Sequence, residues 1–437
     1  MLTFKAPKTV IHNSLGMVSR FASATSLNVL YRLTLMEADA ETNVVTMRTM
    51  NGLIAMRTTF EADVTESGMV LVDTTIFAPA IGTMPKGNVR VKESKKGDRI
   101  HLSGVKTRRS AKLADAGAYP ATPTFGDDVT VEMALSDLLG WFGLVNFAAS
   151  VTRDFPILRG VLLTKGRMYT SDGTRVAQVK ASDQITQNVV MTPGAAGAIN
   201  SMAKLAEGDT VTITYGELGW VQIGIPPSTA WIATLGGTYP SLVETVIADL
   251  EAKTPVATVL VNRANLEGSL SLAQVYASAA RVSNEIWAVY FSVVDGKFIV
   301  HMETTAGALK DTIKCEVEGD DVEGMFDPEQ IRQGISVAPD DTVRIRFYGP
   351  VDPIIVDAPQ SGIEWYVLMM PVVIRDYSDD HAMEASEGVT EELPTEATDA
   401  VVPFSEKPSP EGPYEPYLDD AGWDNPPEEP EDVAEEF

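Results

Sequence analysis

Four histidines and one cysteine are the residues of this 437-residue chain best suited to bind a metal or attack a substrate. Their spacing serves neither purpose. His12, His101, His301 and His381 are scattered without the spacing of a metal site. Cys315 is alone, which excludes an intramolecular disulfide and a cysteine-built zinc site, and its strand-like run holds no histidine to act as a base. The acidic run Glu316 to Glu323 lacks the ligand spacing of an EF-hand loop and reads as a solvated turn. No GxxxxGK[ST] loop is present, so nucleotide hydrolysis is not expected. The residues point away from an enzyme, a metal or a cofactor, and toward a protein that works by binding.

The charge is distributed unevenly. Of the net -27, residues 376–437 supply -20, with 21 acids against Lys407 alone, and they also hold nine of the 26 prolines. A segment of that composition buries too little apolar surface to offset its ordering entropy, so a disordered acidic tail is expected there. Residues 1–125 carry 16 basic and 10 acidic residues. The remainder of the chain is therefore only mildly acidic, and a nucleic-acid partner stays open despite the overall balance. The longest apolar run, Trp365 to Ile374, is too short to span a bilayer. Met1 to Val10 has no basic stretch leading into an apolar one, so a cytoplasmic protein without membrane attachment is expected.

The elements that must position any binding surface recur with a period near 127 residues. Helical patterns start at Pro7 (Ile11, Leu15, Val18), at Leu135 (Leu138, Leu139, Phe142) and at Leu266 (Leu270, Ala273, Ala277). A second helical set covers Asp73–Met84, Thr192–Ala206 and Asp327–Val337, with Pro193 and Pro328 expected in the first turn. Each second helix leads through a polar turn to a strand: PKGNVRVK at 85–92, EGDTVTIT at 207–214 and PDDTVRIR at 339–346. Alternating runs such as Val161–Thr170 and Val289–His301 lie between the two helices. The unit is helix, strands, helix, strands, repeated three times, with domains expected at 1–125, 126–250 and 251–375.

Within this frame the stretch Phe155 to Val179 resembles the middle domain of the bacterial DNA polymerase III beta subunits, the sliding clamps. The carriers are Leu158-Arg159-Gly160 and the turn Ser171-Asp172-Gly173-Thr174-Arg175-Val176. Thr238-Tyr239-Pro240 resembles that family's linker into its last domain, Ser283-Asn284-Glu285 a motif of the last domain, and Tyr366 to Val372 its terminal strand. The resemblance covers about 1–375. It implies an α+β fold of three clamp domains, with helices lining a ring and sheets outside. Thr174, Val176 and Glu244 depart from the family pattern, and Ala22-Ser23-Ala24-Thr25 lacks the family's DNA-binding arginine. Such divergence points to a phage-encoded or mobile-element member.

The resemblance implies two surfaces. Duplex DNA, held without reading sequence, would be met by sparse cations on the repeat helices or their ends: Arg20, Lys86, Lys204, Arg263 and Arg332, with Arg153 on a nearby loop. Singly, each of these is as well read as a solvated surface charge. Replicative polymerase and clamp loader would insert a short peptide into a hydrophobic cleft formed by Leu158, Gly173, Thr174, Arg175, Val176, Pro240, Leu368, Met370, Pro371 and Val372. A head-to-tail homodimer would close the ring, with one side of the contact around Arg281 and Val282. The competing readings are a repetitive β-rich structural protein without a DNA-tethering role, and an enzyme whose site the sequence hides.

Overall fold

The computed structural model describes residues 1–373, apart from 23–25, 116, 118, 126–128, 153–154, 217–218, 241 and 284–286, and without the side chains of 242–244, 251 and 283. The acidic segment 376–437 and Asn284-Glu285 lie outside the described residues. Seven α-helices are present among the described residues: α1 (Lys8–Val18), α2 (Thr74–Gly82), α3 (Leu135–Val145), α4 (Ala195–Ala203), α5 (Leu242–Glu251), α6 (Arg263–Ser283) and α7 (Pro328–Ser336).

The sequence period is a period of architecture. Each repeat opens with a strand that runs directly into a helix, continues through strands to a second helix, and closes with three strands. In every repeat the opening strand pairs antiparallel with the strand after the second helix. These pairs are Thr3–Pro7 with Asn88–Glu93, Val129–Ala134 with Thr210–Tyr215, and Ala257–Asn262 with Thr342–Phe347. The helices pack two by two, α1 on α2, α3 on α4 and α6 on α7. Their apolar stripes are the expected ones: Ile11, Leu15 and Val18; Leu138 and Phe142; Leu266, Leu270, Ala273 and Ala277 are all buried.

Helix starts follow local chemistry. The Asp73 carboxylate accepts from Thr75 N at the start of α2, and Asp327 accepts from Glu329 N and Gln330 N at the start of α7, where Pro328 takes the first position. Pro193 does not play that part. Gly194 caps α4 in a left-handed conformation (φ 97°), so Pro193 stands outside the helix.

Two expectations about strands need correcting. Val161–Thr170 and Val289–His301 are not single runs. Each is a hairpin, broken at Lys165-Gly166 (φ 45° and 74°) and at Asp295-Gly296 (φ 49° and 67°). Positive φ at both central residues matches the twist of the flanking strands, as a two-residue hairpin turn requires. The acidic run 316–323 is likewise not a turn. Cys315–Gly319 is a strand paired with Ala257–Asn262, and only 320–321 separate it from the strand Val322–Phe326. Glu316 and Glu318 occupy its solvent-facing positions.

Consecutive repeats are stitched edge to edge. Ser228–Ala233, the last strand of repeat 2, pairs antiparallel with Ile54–Glu61 of repeat 1. Trp365–Met369, the last strand of repeat 3, pairs antiparallel with Arg175–Lys180 of repeat 2. Both junctions use the same rule: the final strand of one repeat meets the third inter-helix strand of the preceding one. Among the described residues this yields continuous sheets of thirteen and nine strands, plus one of four. No helix among the described residues is long and apolar enough to cross a membrane.

Candidate functional site

Two of the six cations singled out in the sequence come together in space. Arg20, just past α1, and Lys204, at the end of α4, face one groove of about 330 Å³, with His12, Asn13, Gly16, Met17, Ser201 and Leu205. Both are exposed, and neither makes an ion pair or hydrogen bond among the described residues. Lys86 is exposed on the turn after α2. Arg263 is otherwise engaged: its guanidinium donates to the carbonyls of Ser336 and Ala338 and pairs with Asp341 at 3.1 Å, tying the start of α6 to the end of α7. Arg332 donates from Nε to Gln274 Oε1 at 2.6 Å, also between α6 and α7. Arg153 lies outside the described residues.

The junction of repeats 2 and 3 gathers the second set. Strand pairing places Val176 opposite Leu368 and Arg175 opposite Met369, and the chain continues with Met370 N donating to Thr174 O at 2.8 Å. Val372 N then donates to Met325 O at 2.7 Å, which fixes the course of Pro371 and Val372. Val176 and Leu368 belong to a cluster on the sheet face that also holds Leu162, Tyr169, Val190, Tyr348, Ile355 and Tyr366, with Ile247 and Leu250 of α5 packed on it. Pro240 lines an adjoining cavity of about 340 Å³, whose walls include Leu162, Tyr169, Val190, Leu235 and Tyr239. Burial pushes the Tyr239 phenol above its ordinary pKa, so it stays neutral. Gly160 has no room for a side chain: a Cβ there would sit 2.5 Å from the Met191 carbonyl and from Val190.

The turn that carries the resemblance is tightly built. Asp172 Oδ1 accepts from Thr174 N (3.0 Å), Thr174 Oγ1 (2.7 Å) and Arg175 N (3.1 Å), while its Oδ2 accepts from Arg175 Nε at 2.8 Å. Gly173, at φ 94°, takes the conformation that glycine adopts without strain. Arg175 is only 8% exposed; it donates to Gln333 Oε1 at 2.7 Å and to Phe147 O at 3.0 Å, and stacks over the Phe147 ring. Thr174 Oγ1 bonds Gln330. Thus Arg175 pins the turn to α7, while Gly173, Thr174 and Met370 stay open to solvent. Leu158 is buried in the short helical turn 156–159.

Sequence reasoning missed Leu162, Tyr169, Val190, Leu235, Tyr239, Ile355 and Tyr366 as cleft residues. A usable signal exists: Leu162 and Tyr169 are apolar on the sheet face turned away from the main core, in strands whose core-facing positions are already apolar. Helix α5 was also missed, although Leu242, Val246 and Leu250 recur at i, i+4 and i+8.

Arg281 pairs with Asp327 (2.8 Å) and Glu329 (3.5 Å) and lies over the Trp287 ring, whereas Val282 is 89% exposed. They end α6, the helix packed on the strand Gly307–Ile313. Among the described residues that strand pairs only with Lys297–Thr304, which leaves its other edge open.

One cluster looks catalytic and is not arranged for it. Ser292 Oγ lies 2.9 Å from His301 Nε2, and Glu323 Oε2 lies 3.1 Å from the same nitrogen. Ser292 also donates to Glu323. A nucleophilic serine needs the carboxylate on the other ring nitrogen; here serine and carboxylate share one, and the serine proton already points at the acid. Cys315 is held as a thiol, because burial raises its pKa. Among the described residues no group of acids, histidines and cysteines could hold a metal ion.

No family model matches the chain. The curated beta sliding clamp of Synechocystis is 23% identical over 395 residues, covering 83% of this chain and 97% of its own length. The beta sliding clamp of Staphylococcus epidermidis is 21% identical over 368 residues, covering 78% and 91% respectively. Among solved structures, the DNA polymerase III beta chain of Streptococcus pneumoniae superposes with a TM-score of 0.77 at 19% identity, covering 86% of this chain and all of its own. The polymerase sliding clamp of Bacillus subtilis gives 0.76 at 17% identity, with 86% and full coverage.

Proposed function

We propose that this chain, a divergent relative of the bacterial beta sliding clamps, is a DNA sliding clamp: a non-enzymatic processivity factor that encircles duplex DNA and tethers the replicative polymerase. The carrying observation is the edge-to-edge rule. The last strand of repeat 2 meets repeat 1, and the last strand of repeat 3 meets repeat 2. One strand of each kind is left over: Gly307–Ile313 of repeat 3, and Thr107–Ala114 of repeat 1, which meets Gly68–Asp73 only through Leu113 and Ala114 and leaves 107–112 unpaired on that side. The same antiparallel contact between two copies, head to tail, uses both edges and closes a ring of six repeats. Arg281 and Val282 end the helix that packs on Gly307–Ile313 and would border that contact. The three repeats serve as domains at 1–125, 126–250 and 251–375.

In this assembly the α1–α4 groove puts Arg20 and Lys204 against the phosphate backbone, with Lys86 nearby. Sparse and unpaired cations hold duplex without fixing its register, which sliding requires. Arg263 and Arg332 serve mainly to join α6 to α7. The junction cleft receives the peptide of polymerase or clamp loader. Met370, Thr174, Pro240 and the walls Leu162, Tyr169 and Leu235 supply its apolar contacts, and Arg175 holds the turn in place beneath them. Replication places the protein's work in the cytoplasm. Primer extension on a long primed circle with polymerase and loader tests the reading: added protein should lengthen the products of a single binding event, and unchanged product length would refute it.

A further inference from the structure

A basic surface lies away from the helix pair and has no part in the reading above. Between 90 and 112 the chain holds nine Lys or Arg residues and two acids, and of the nine Arg109 turns inward to the end of α2. The strands Asn88–Glu93, Arg99–Gly104 and Thr107–Ala114 form one sheet. Their inward residues Val89, Val91, Ile100, Leu102 and Ala111 join the core shared with Ile11 and Leu15 of α1 and Phe77 and Ile81 of α2. The other face is therefore turned away from both helices, and a duplex lying against the helices does not meet it. In register on that face stand Lys5, Arg90, Lys92, Arg99, Arg108 and Lys112. Strand pairing sets Lys5 beside Arg90, and Arg99 beside Lys112. Lys95 and Lys96 add to it from the exposed turn.

None of these cations makes an ion pair among the described residues; Asp63 stands across from Lys5 on the neighbouring strand, Glu66 accepts from Thr3 Oγ1, and the two acids between 90 and 112 are likewise hydrogen-bonded. Glu93 accepts from Leu2 N at 2.8 Å, and Asp98 accepts from Ser94 Oγ at 2.7 Å. The occupant must be anionic. Protein partners anchor through buried aromatic or aliphatic side chains, with charged residues depleted at the centre of the contact. This face offers no such anchor: its outward positions between the cations are Asn88, His101, Ser103 and Ser110, all polar. Guanidinium and ammonium groups on a flat polar surface suit phosphodiesters bound without regard to sequence.

We infer that the outward sheet face of repeat 1 is a second nucleic-acid contact, which binds the phosphate backbone of DNA that does not pass through the ring. The test uses the full chain, with no loader, and covalently closed circular duplex, which a closed ring cannot thread. Binding should be measurable at about 50 mM salt and fall steeply as salt rises. The variant R90Q/K92Q/R99Q avoids the edge strand, so ring closure and loader-dependent retention should persist. It should lose at least tenfold in affinity for closed circles, and its log–log salt slope should flatten by about 2 to 3. A triple variant that keeps its solution mass and binds closed circles with wild-type affinity and slope would overturn the inference. So would a polyglutamate peptide that displaces DNA at equal charge concentration and binds only the unsubstituted face, since that would assign the face to an acidic polypeptide.

Discussion

The groove between α1 and α4 leaves Arg20 and Lys204 extended into solvent without partners, whereas the cleft between repeats 2 and 3 sets Arg175 behind four hydrogen-bond contacts and a ring. One surface uses charge that stays loose, and the other uses charge to make apolar walls rigid. On the proposed function, the contrast follows from what each surface would hold. A phosphate backbone has to slide past, so long-range attraction without fixed geometry is enough. A short peptide has to stay put, and its affinity depends on preformed pockets that hold apolar anchors. Repeat 3 sharpens the point. Its helix cations Arg263 and Arg332 are engaged like Arg175, so equivalent helices carry free charge in one place and structurally engaged charge in another.

The largest effect that would break this contrast lies at the cleft floor. Leu368 is 3% exposed and packed in the junction cluster, so Leu368→Ala should cost about 2–5 kcal/mol in denaturant unfolding. A loss below ~1 kcal/mol would mean the wall is not the packed element described. Met370 is the counterpart at the rim, 43% exposed. Met370→Ala should leave unfolding nearly unchanged and weaken a clamp-binding peptide by about 1–2 kcal/mol, roughly 5- to 30-fold, by titration calorimetry. Unaltered peptide affinity would move the pocket elsewhere.

The groove should respond more weakly and with a different signature. Arg20→Gln with Lys204→Gln should shorten the lifetime of loaded protein on DNA several-fold at low salt, with the difference shrinking as salt rises. Arg263→Gln should instead lower thermal stability and leave DNA lifetime alone. The reverse pattern would undo the division between loose and engaged cations. The smallest effect belongs to Glu323, whose carboxyl is held below the usual range, first by the Ser292 hydroxyl and then by His301. The folded state therefore binds fewer protons there than the unfolded state. Glu323 contributes stability above the ordinary carboxylate pKa and loses it as pH falls through the lowered folded value. Melting temperatures of wild type and Glu323→Gln should differ near neutrality and converge in acid; a gap that persists in acid would assign the effect to shape and not to charge.

Much of this was legible in the residues. Apolar stripes such as Leu266, Leu270, Ala273 and Ala277 announced the helices, and three similar strands after three second helices announced the repeat. The hairpins were hidden because Lys165-Gly166 and Asp295-Gly296 are short turn signals inside runs whose alternation continues across them. The acidic run 316–323 read as a turn because burial on one face of a strand leaves its other face free to be acidic. Cleft walls were harder still. Leu162 and Tyr169 face each other within one hairpin, but Tyr366 joins them only through pairing between repeats, and no local pattern encodes which edges join. Likewise, nothing in the spacing of Arg20, Lys204 and Arg263 told which would find a partner, since Asp341 and the carbonyls of Ser336 and Ala338 reach Arg263 only after folding.

The most direct measurement of the central claim is topological. The protein is loaded onto a nicked circular duplex by a clamp loader, and its retention is followed by gel filtration before and after the circle is cut once. A closed sliding ring stays on the circle, survives moderate salt and runs off within minutes of linearisation. Equal retention on circular and linear DNA, or release from both by salt alone, would contradict the account.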